Sequence, residues 1–262
     1  MAENKAGVRF LNKVAIVTGG CQGVGKGILD VLLEQGGKVA VFDINDKLGS
    51  ELTTSGPGIV KYVHCDVRNE AEVKRSIAYV VEGFGGLDLL VNNAGYANPA
   101  KTIDDSEISA FQDLLNLNLV AYFTMCKYSL PHLRKTKGSV VNISSILGST
   151  VGPKHMSMYC ATKGGVTALT KSLAYDESVH GVRINSIAPS VVRTPLLEEF
   201  ASSLPDPQKQ IKNWEDSVLL RRLAEPKEIG LACLYLAVDA TFTTGFELNC
   251  TAGSEIGYGV KQ

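Results

Sequence analysis

Residues 13–37 read K-V-A-I-V-T-G-G-C-Q-G-V-G-K-G-I-L-D-V-L-L-E-Q-G-G. The first six are a short apolar run rich in β-branched side chains, the pattern of a strand buried on both faces of a parallel sheet. They lead straight into Gly19, Gly20, Gly23 and Gly25. Ile28 to Leu33 then carries apolar residues at helical spacing, and Gly36-Gly37 stops the helix. Strand, glycine-rich turn and helix in this order predict a phosphate cradle. The glycines let backbone N–H groups approach a pyrophosphate, and the helix N-terminus favours its charge. Gly19, Gln22, Gly23, Val24 and Gly25 are the candidate contacts. The spacing is G-x-x-x-G-x-G rather than the G-x-G-x-x-G of other dinucleotide folds, and a glycine turn alone is a weak signal.

The next strand, Lys38 to Phe42, ends in Asp43, which lies 18 residues beyond Gly25. An acidic side chain there takes both ribose hydroxyls of an adenosine and repels a 2′-phosphate, so NAD is expected rather than NADP. The bland reading of Asp43 is an ordinary turn residue after a strand. Ile59 to His64 reads as a third strand, followed by Cys65-Asp66-Val67. Asp66 is placed to bond an adenine amino group and Val67 to pack on the ring. The competing reading of Asp66 is an N-cap for the helix predicted over 69–84, whose inward residues are Val73, Ile77 and Val80 or Val81. Leu87 to Val91 is a fourth strand ending in Asn92-Asn93-Ala94-Gly95, a small turn of the kind that borders ligands in open α/β sheets, with Asn93 a cofactor contact. This alternation predicts an α/β fold: one doubly wound, Rossmann-type parallel sheet with helices on both faces. No repeat, low-complexity tract or linker interrupts it, so residues 1–262 read as one domain.

The second half carries the reactive groups. Residues 106–130 are mostly helical, with Asn118 interrupting the apolar stretch L-L-N-L-N-L-V-A-Y-F. It is either a satisfied core amide or a residue that bends the helix and holds a water behind Lys163. Pro131 is expected to end this helix or start a new turn. Gly138 to Ile143 is a fifth strand running into Ser144-Ser145, and residues 146–158 read as a loop. A helix over 158–180 follows, with Val166, Leu169, Leu173 and Ala174 as its apolar face. Tyr159 and Lys163 are four residues apart and so share one face. A phenol near pKa ~10 is a poor base at neutral pH. An ammonium on the same face stabilises the phenolate and lowers that value, making the pair a candidate general acid/base for a hydroxyl-bearing carbon. Taken alone, Tyr-x-x-x-Lys is more often a surface pair. Arg183 to Ala188 is a sixth strand, and Phe246 to Leu248 starts the last. Between them, residues 195–223 break the rhythm with Pro205, Pro207 and the only tryptophan, Trp214. Such an insertion reads as a lid over the substrate.

Composition narrows the class. Net charge is −1, from 26 basic and 27 acidic residues, which gives no reason to expect nucleic acid or an anionic membrane as partner. No apolar run approaches the ~18 residues of a membrane span, and the N-terminal stretch M-A-E-N-K-A-G-V-R-F has no secretory h-region. The six cysteines show no paired spacing and read as reduced thiols of a cytoplasmic protein. With four scattered histidines and no C-x-x-C or H-x-x-x-H, no metal is expected.

T-G-G-C-Q-G-V-G at 18–25, N-N-A-G at 92–95, N-I-S-S at 142–145 and Y-C-A-T-K at 159–163 occur together and in this order. The chain therefore resembles the short-chain dehydrogenase/reductase family over roughly residues 9–257. The resemblance implies a proton relay. Tyr159 exchanges the proton with the substrate hydroxyl, Ser145 bonds the same oxygen, Lys163 lowers the Tyr159 pKa and holds the nicotinamide ribose, and Asn118 positions a water. It also implies that Val192, through its backbone, and Thr194, through its hydroxyl, contact the carboxamide. The bland reading of Thr194 is an N-cap ahead of Pro195. Two features depart from the pattern. Ser145 stands 14 residues before Tyr159, one more than is usual, which leaves a choice between Ser144 and Ser145 that favours Ser145. Pro189-Ser190 replaces the usual Pro-Gly.

The stretches at 130–135 and 159–178 and the tail E-I-G-Y-G at 255–259 resemble 17β-hydroxysteroid dehydrogenases within the family. Tyr258 and Tyr96 then border the substrate. This implies a cytoplasmic homotetramer that oxidises a secondary alcohol to a ketone with NAD. The 17β-hydroxyl of a steroid is the first candidate, and sugar, prostanoid and terpenoid alcohols are alternatives. An NADPH-dependent carbonyl reductase is disfavoured by Asp43. A non-catalytic cofactor-binding sensor is disfavoured because Tyr159 and Lys163 are both kept.

Overall fold

The computed structural model describes residues 8–54, 56–97, 100–202 and 204–257. Seven strands form one sheet in the order β3-β2-β1-β4-β5-β6-β7: β1 (Val14–Thr18), β2 (Lys38–Asp43), β3 (Ile59–His64), β4 (Leu89–Asn92), β5 (Ser139–Ile143), β6 (Arg183–Pro189) and β7 (Glu247–Cys250). Every pairing is parallel. The winding reverses between β1 and β4, so the crevice where ligands enter such sheets lies above Thr18 and Asn92.

Side chains alternate along each strand, and in β1, β2, β4, β5 and β6 both sets are buried. Ala15, Val17, Val39, Val41 and Val141 meet α1 (Gly23–Glu34) and α10 (Pro226–Leu234) on one face. Val14, Ile16, Phe42, Leu90 and Val140 meet α3 (Glu70–Phe84), α5 (Ala121–Thr136) and α7 (Ser157–Glu177) on the other. Burying each large aliphatic side chain contributes roughly 1.5–3 kcal/mol, which is why these strands read as near-continuous apolar runs. Shorter elements complete the chain: α2 (Asp46–Ser50), α4 (Ile108–Leu115), α6 (Ile146–Ser149), a 3-10 turn (Ser178–His180), α8 (Pro195–Ser202), α9 (Pro207–Asp216) and α11 (Ser254–Gly257).

Four expectations change. Pro131 lies inside α5 instead of ending it. The N–H it lacks would have bonded the carbonyl of Lys127, which lies on the exposed side of the helix where the loss costs little. Asn69, not Asp66, caps α3, accepting from the N–H groups of Ala71 and Glu72. The buried face of α7 is Thr162, Lys163, Val166, Thr167, Thr170 and Ala174, with Leu169 and Leu173 only half-buried. Apolar spacing found Val166 and Ala174 and missed the rest of this face because its polar members are satisfied internally: Asn142 Nδ2 donates to Thr170 Oγ1 at 2.9 Å, and the Ser144 and Thr167 hydroxyls meet at 2.9 Å. Residues 146–151 are not open loop. They form a tight turn in which Val151 N–H donates to the Ile146 carbonyl and Gly148 N–H to the Val151 carbonyl.

Candidate active site

The glycine turn is built by close approach. A Cβ on Gly25 would stand 2.1 Å from the Gly19 carbonyl oxygen, so no other residue fits there. Gln22, in extended conformation at the N-terminus of α1, makes no side-chain cap, which leaves the first-turn N–H groups to a ligand. Asn93 supports the turn from β4, its Nδ2 donating to the carbonyls of Thr18 (2.9 Å) and Gly19 (3.0 Å). Thr18 Oγ1 in return accepts from the N–H groups of Asn93 and Ala94. Asn93 thus borders the crevice while its amide holds the turn.

Asp43 follows at the carboxyl end of β2. Its carboxylate accepts from Cys21 N–H and from Asn45 N–H, each at 3.1 Å, so it ties the adenosine end to the glycine turn. Asp66 and Val67 lie on the same wall. The Asp66 carboxylate is paired with the Arg68 guanidinium at 2.7 Å, which holds it below the usual carboxylate range. Asp66 N–H donates to Glu72, so side chain and backbone donor already have partners. Two residues of this wall were missed from sequence. Ile44 is 59% exposed beside Asp43; an isolated apolar residue just past a strand end was the available signal. Arg68 is the other, signalled only by its position two residues after Asp66.

The reactive end joins β5 to α7. The Lys163 ammonium, 4% exposed, donates to the Ile143 carbonyl at 2.8 Å and lies 5.9 Å from the Tyr159 ring centroid. Burial pulls Lys163 down to about 7. Burial also pushes Tyr159 up to about 12, against the pull of a hydrogen bond from Ser145. The expectation that Lys163 lowers the Tyr159 pKa is therefore not met by the chain itself, because a lysine whose own charge is disfavoured gives a phenolate little support. Ser144 and Ser145 separate cleanly. Ser144 is engaged with the Lys163 carbonyl (3.2 Å) and Thr167, whereas Ser145 faces Tyr159 and caps the turn at Leu147 N–H. Ile143 enters through its carbonyl, for which side-chain identity gives no signal.

Asn118 sits on a π-helical turn, Asn116–Val120, which joins α4 to α5. Fully buried, it accepts from Tyr96 N–H (3.2 Å) and donates to the Tyr96 carbonyl (2.9 Å) and Thr162 Oγ1 (3.2 Å). Its side chain anchors the loop bearing Tyr96, so it is a satisfied core amide, set on a distorted helical turn. Val192 pairs with Ala224 beyond β6. Thr194 Oγ1 accepts from Leu197 N–H, capping α8, and its methyl lies 3.4 Å from the place of a Cβ on Gly23.

One crevice of about 510 Å³ unites these groups, within the usual range for a small-molecule site. Gly19, Gln22, Gly23, Val24, Asp43, Asp66, Val67 and Asn93 line it together with Ser145, Tyr159, Lys163, Val192 and Thr194, and Thr194 stands against Gly23. Gly25 and Asn118 stand behind the wall. Tyr258 lies outside the described residues. The glycine cradle, a carboxylate at the end of the neighbouring strand and free helix-terminal donors fit a dinucleotide. Among the described residues no group of three or more His, Cys, Asp or Glu side chains could hold a metal, and no helix is long and apolar enough to cross a membrane.

Comparison with known proteins gives an independent reading. A family profile described as "Enoyl-(Acyl carrier protein) reductase" matches residues 19–255. L-fucose dehydrogenase of Bos taurus is 44% identical over 255 residues, which cover 97% of this chain and 94% of that protein. The ligand-free aldohexose dehydrogenase of Thermoplasma acidophilum has a TM-score of 0.85 at 30% identity, over 96% of this chain and 97% of its own. The crystal structure of levodione reductase matches with a TM-score of 0.89 at 27% identity, over 95% of this chain and 100% of its own.

Proposed function

The chain belongs to the short-chain dehydrogenase/reductase family of nicotinamide-dependent oxidoreductases, and on that premise we propose that it oxidises a secondary alcohol to a ketone with NAD. The observation that carries the reading is the meeting of Ser145, Tyr159 and Lys163 in one crevice with Asp43. The dinucleotide, when bound, supplies the hydride acceptor. Gly19, Gln22, Gly23 and Val24 offer N–H groups to its pyrophosphate, and Asp43 takes the ribose hydroxyls. Asp43 also makes NAD the preferred form, since a 2′-phosphate would face a carboxylate. Ser145 orients the substrate oxygen, the Tyr159 phenol exchanges its proton, and Lys163 holds the nicotinamide ribose beside it. Val192 and Thr194 hold the carboxamide end. Residues 195–223, with α8 and α9 stacked through Phe200 and Trp214 at 6.1 Å between ring centroids, act as the lid.

For the substrate we favour a hydroxyl of a sugar over the steroid 17β-hydroxyl first expected. Support comes from the two sugar dehydrogenases to which the chain is similar over nearly its whole length. The protein is further proposed to be a cytoplasmic homotetramer. The deciding experiment is a panel of steroid, sugar, prostanoid and terpenoid secondary alcohols, followed by NADH or NADPH formation. Turnover of a sugar with NAD is expected. Turnover confined to steroids would overturn the substrate reading, and NADP preferred tenfold would overturn the cofactor reading.

A further inference from the structure

Tyr122, on the first turn of α5, is 1% exposed and has no part in the relay described above. Its ring centroid lies 5.4 Å from Lys163 Nζ, and its hydroxyl donates to the Ile143 carbonyl at 3.3 Å. That carbonyl also receives Lys163 Nζ, at 2.8 Å. The lysine head therefore lies 5.4 Å and 5.9 Å from the centroids of two aromatic rings, Tyr122 and Tyr159, with one acceptor that it shares with Tyr122. An aromatic face within about 6 Å attracts a cation, most strongly where water is excluded. We propose that Tyr122 is a positioning residue for Lys163: its ring supports the ammonium, while its hydroxyl competes with the ammonium for the Ile143 carbonyl.

The two contributions have opposite sign and can be separated. Tyr122→Phe keeps the ring and releases the carbonyl wholly to Lys163, so the ammonium gains. Tyr122→Leu removes the ring, so the ammonium loses. The titratable groups around the lysine are few. Tyr159 comes from its own helix and Tyr122 from α5, and both are held neutral by burial. Cys126, one turn beyond Tyr122, is pushed up to about 12 by burial. Glu247 on β7 is occupied by the Thr167 hydroxyl (2.6 Å) and the Ser186 hydroxyl (3.2 Å). From β5 only the Ile143 carbonyl reaches the ammonium.

The proposal rests on Lys163 being the cation of the relay, so its test has an arm that needs no turnover. Because the folded chain holds Lys163 below its unfolded value, melting temperature rises with pH through the window between the two. The onset of that rise is read as the difference between each chain and the same chain carrying Lys163→Met. Tyr122→Leu is expected to move the onset down by about one pH unit, and Tyr122→Phe to move it up. The basic limb of kcat should shift in the same two directions. Shifts of one sign in both variants, or none in either, overturn the proposal and leave Tyr122 a packing residue. If Tyr122→Leu does not fold, Tyr122→Phe decides alone: an upward shift supports the proposal and none refutes it. Opposed shifts in a chain without dehydrogenase activity would sustain this inference and sink the catalytic reading.

Discussion

Tyr159 and Lys163 are displaced from their ordinary values in opposite directions, and both displacements come from burial. Lys163, held at about 7 against an ordinary value of 10.5, binds fewer protons folded than unfolded between those values. The contribution of Lys163 to stability therefore rises with pH across that window and is lowest below pH 7. Lys163→Met is expected to raise the melting temperature at pH 7 by about 3 °C or more, to flatten this dependence and to abolish turnover. The Ile143 carbonyl keeps the Tyr122 hydroxyl as a partner in that variant. A lower melting temperature would mean that the lysine is not under strain. Tyr159→Phe should cut kcat by about 10³-fold while NAD still binds, checked by calorimetry beside kinetics; near-normal turnover would show that another group moves the proton. Asp43 needs a finer substitution because it also accepts from Cys21 N–H. Asp43→Asn keeps an acceptor and removes the charge, so discrimination against NADP should relax by about tenfold, ~1.4 kcal/mol, in paired binding measurements. Unchanged selectivity would assign the ribose to another residue. These candidates were legible because side-chain chemistry announces them; the Ile143 carbonyl was not, since any residue type supplies one.

Elements were legible where one force dominates. β1, the glycine turn and α1 follow from a buried apolar run and a backbone approach that only glycine permits. The face of α7 was read only in part because hydrogen-bonded Thr162, Thr167 and Thr170 replace apolar contacts, and hydropathy carries no record of a partner on another strand. Pro131 was misread because a proline at an exposed helical position loses one bond, not the helix. The turn after β5 was also hidden, although Gly148 defines it. Its φ is +94°, and a Cβ there would stand 2.2 Å from the Cys160 carbonyl oxygen in the first turn of α7. Gly148→Ala must therefore push this turn off the helix that carries Tyr159. The expected outcome is a loss of about 2 kcal/mol in stability, with kcat reduced more than the KM for NAD. Thermal melts and steady-state kinetics check it, and wild-type values for both would mean that the turn and α7 are not locked together.

At the scale of the whole molecule, alternating strands and helices made the doubly wound sheet legible, because a parallel sheet must bury both faces and connect through helices. What lies outside the sheet was not legible, since exposed apolar residues show no periodicity tied to a partner. Ile108, Val120 and Phe123 lie exposed on α4, the π-helical turn and α5, while Leu231 and Tyr235 lie exposed on and just after α10, and Phe242 and Phe246 ahead of β7, an edge strand. Apolar patches of this kind mark contact surfaces, and an open edge strand invites a cover. If these residues serve two different two-fold contacts, the proposed homotetramer is closed by two-fold axes. Sedimentation equilibrium should then give about four times the 28.0 kDa of the chain. Phe123→Asp and Phe242→Asp should each reduce the assembly to dimers, and the double variant to monomers, with the crevice intact in every case. A wild-type chain that sediments as a monomer at micromolar concentration would show that neither patch is an interface between copies, and the fold would have to be stable with both exposed.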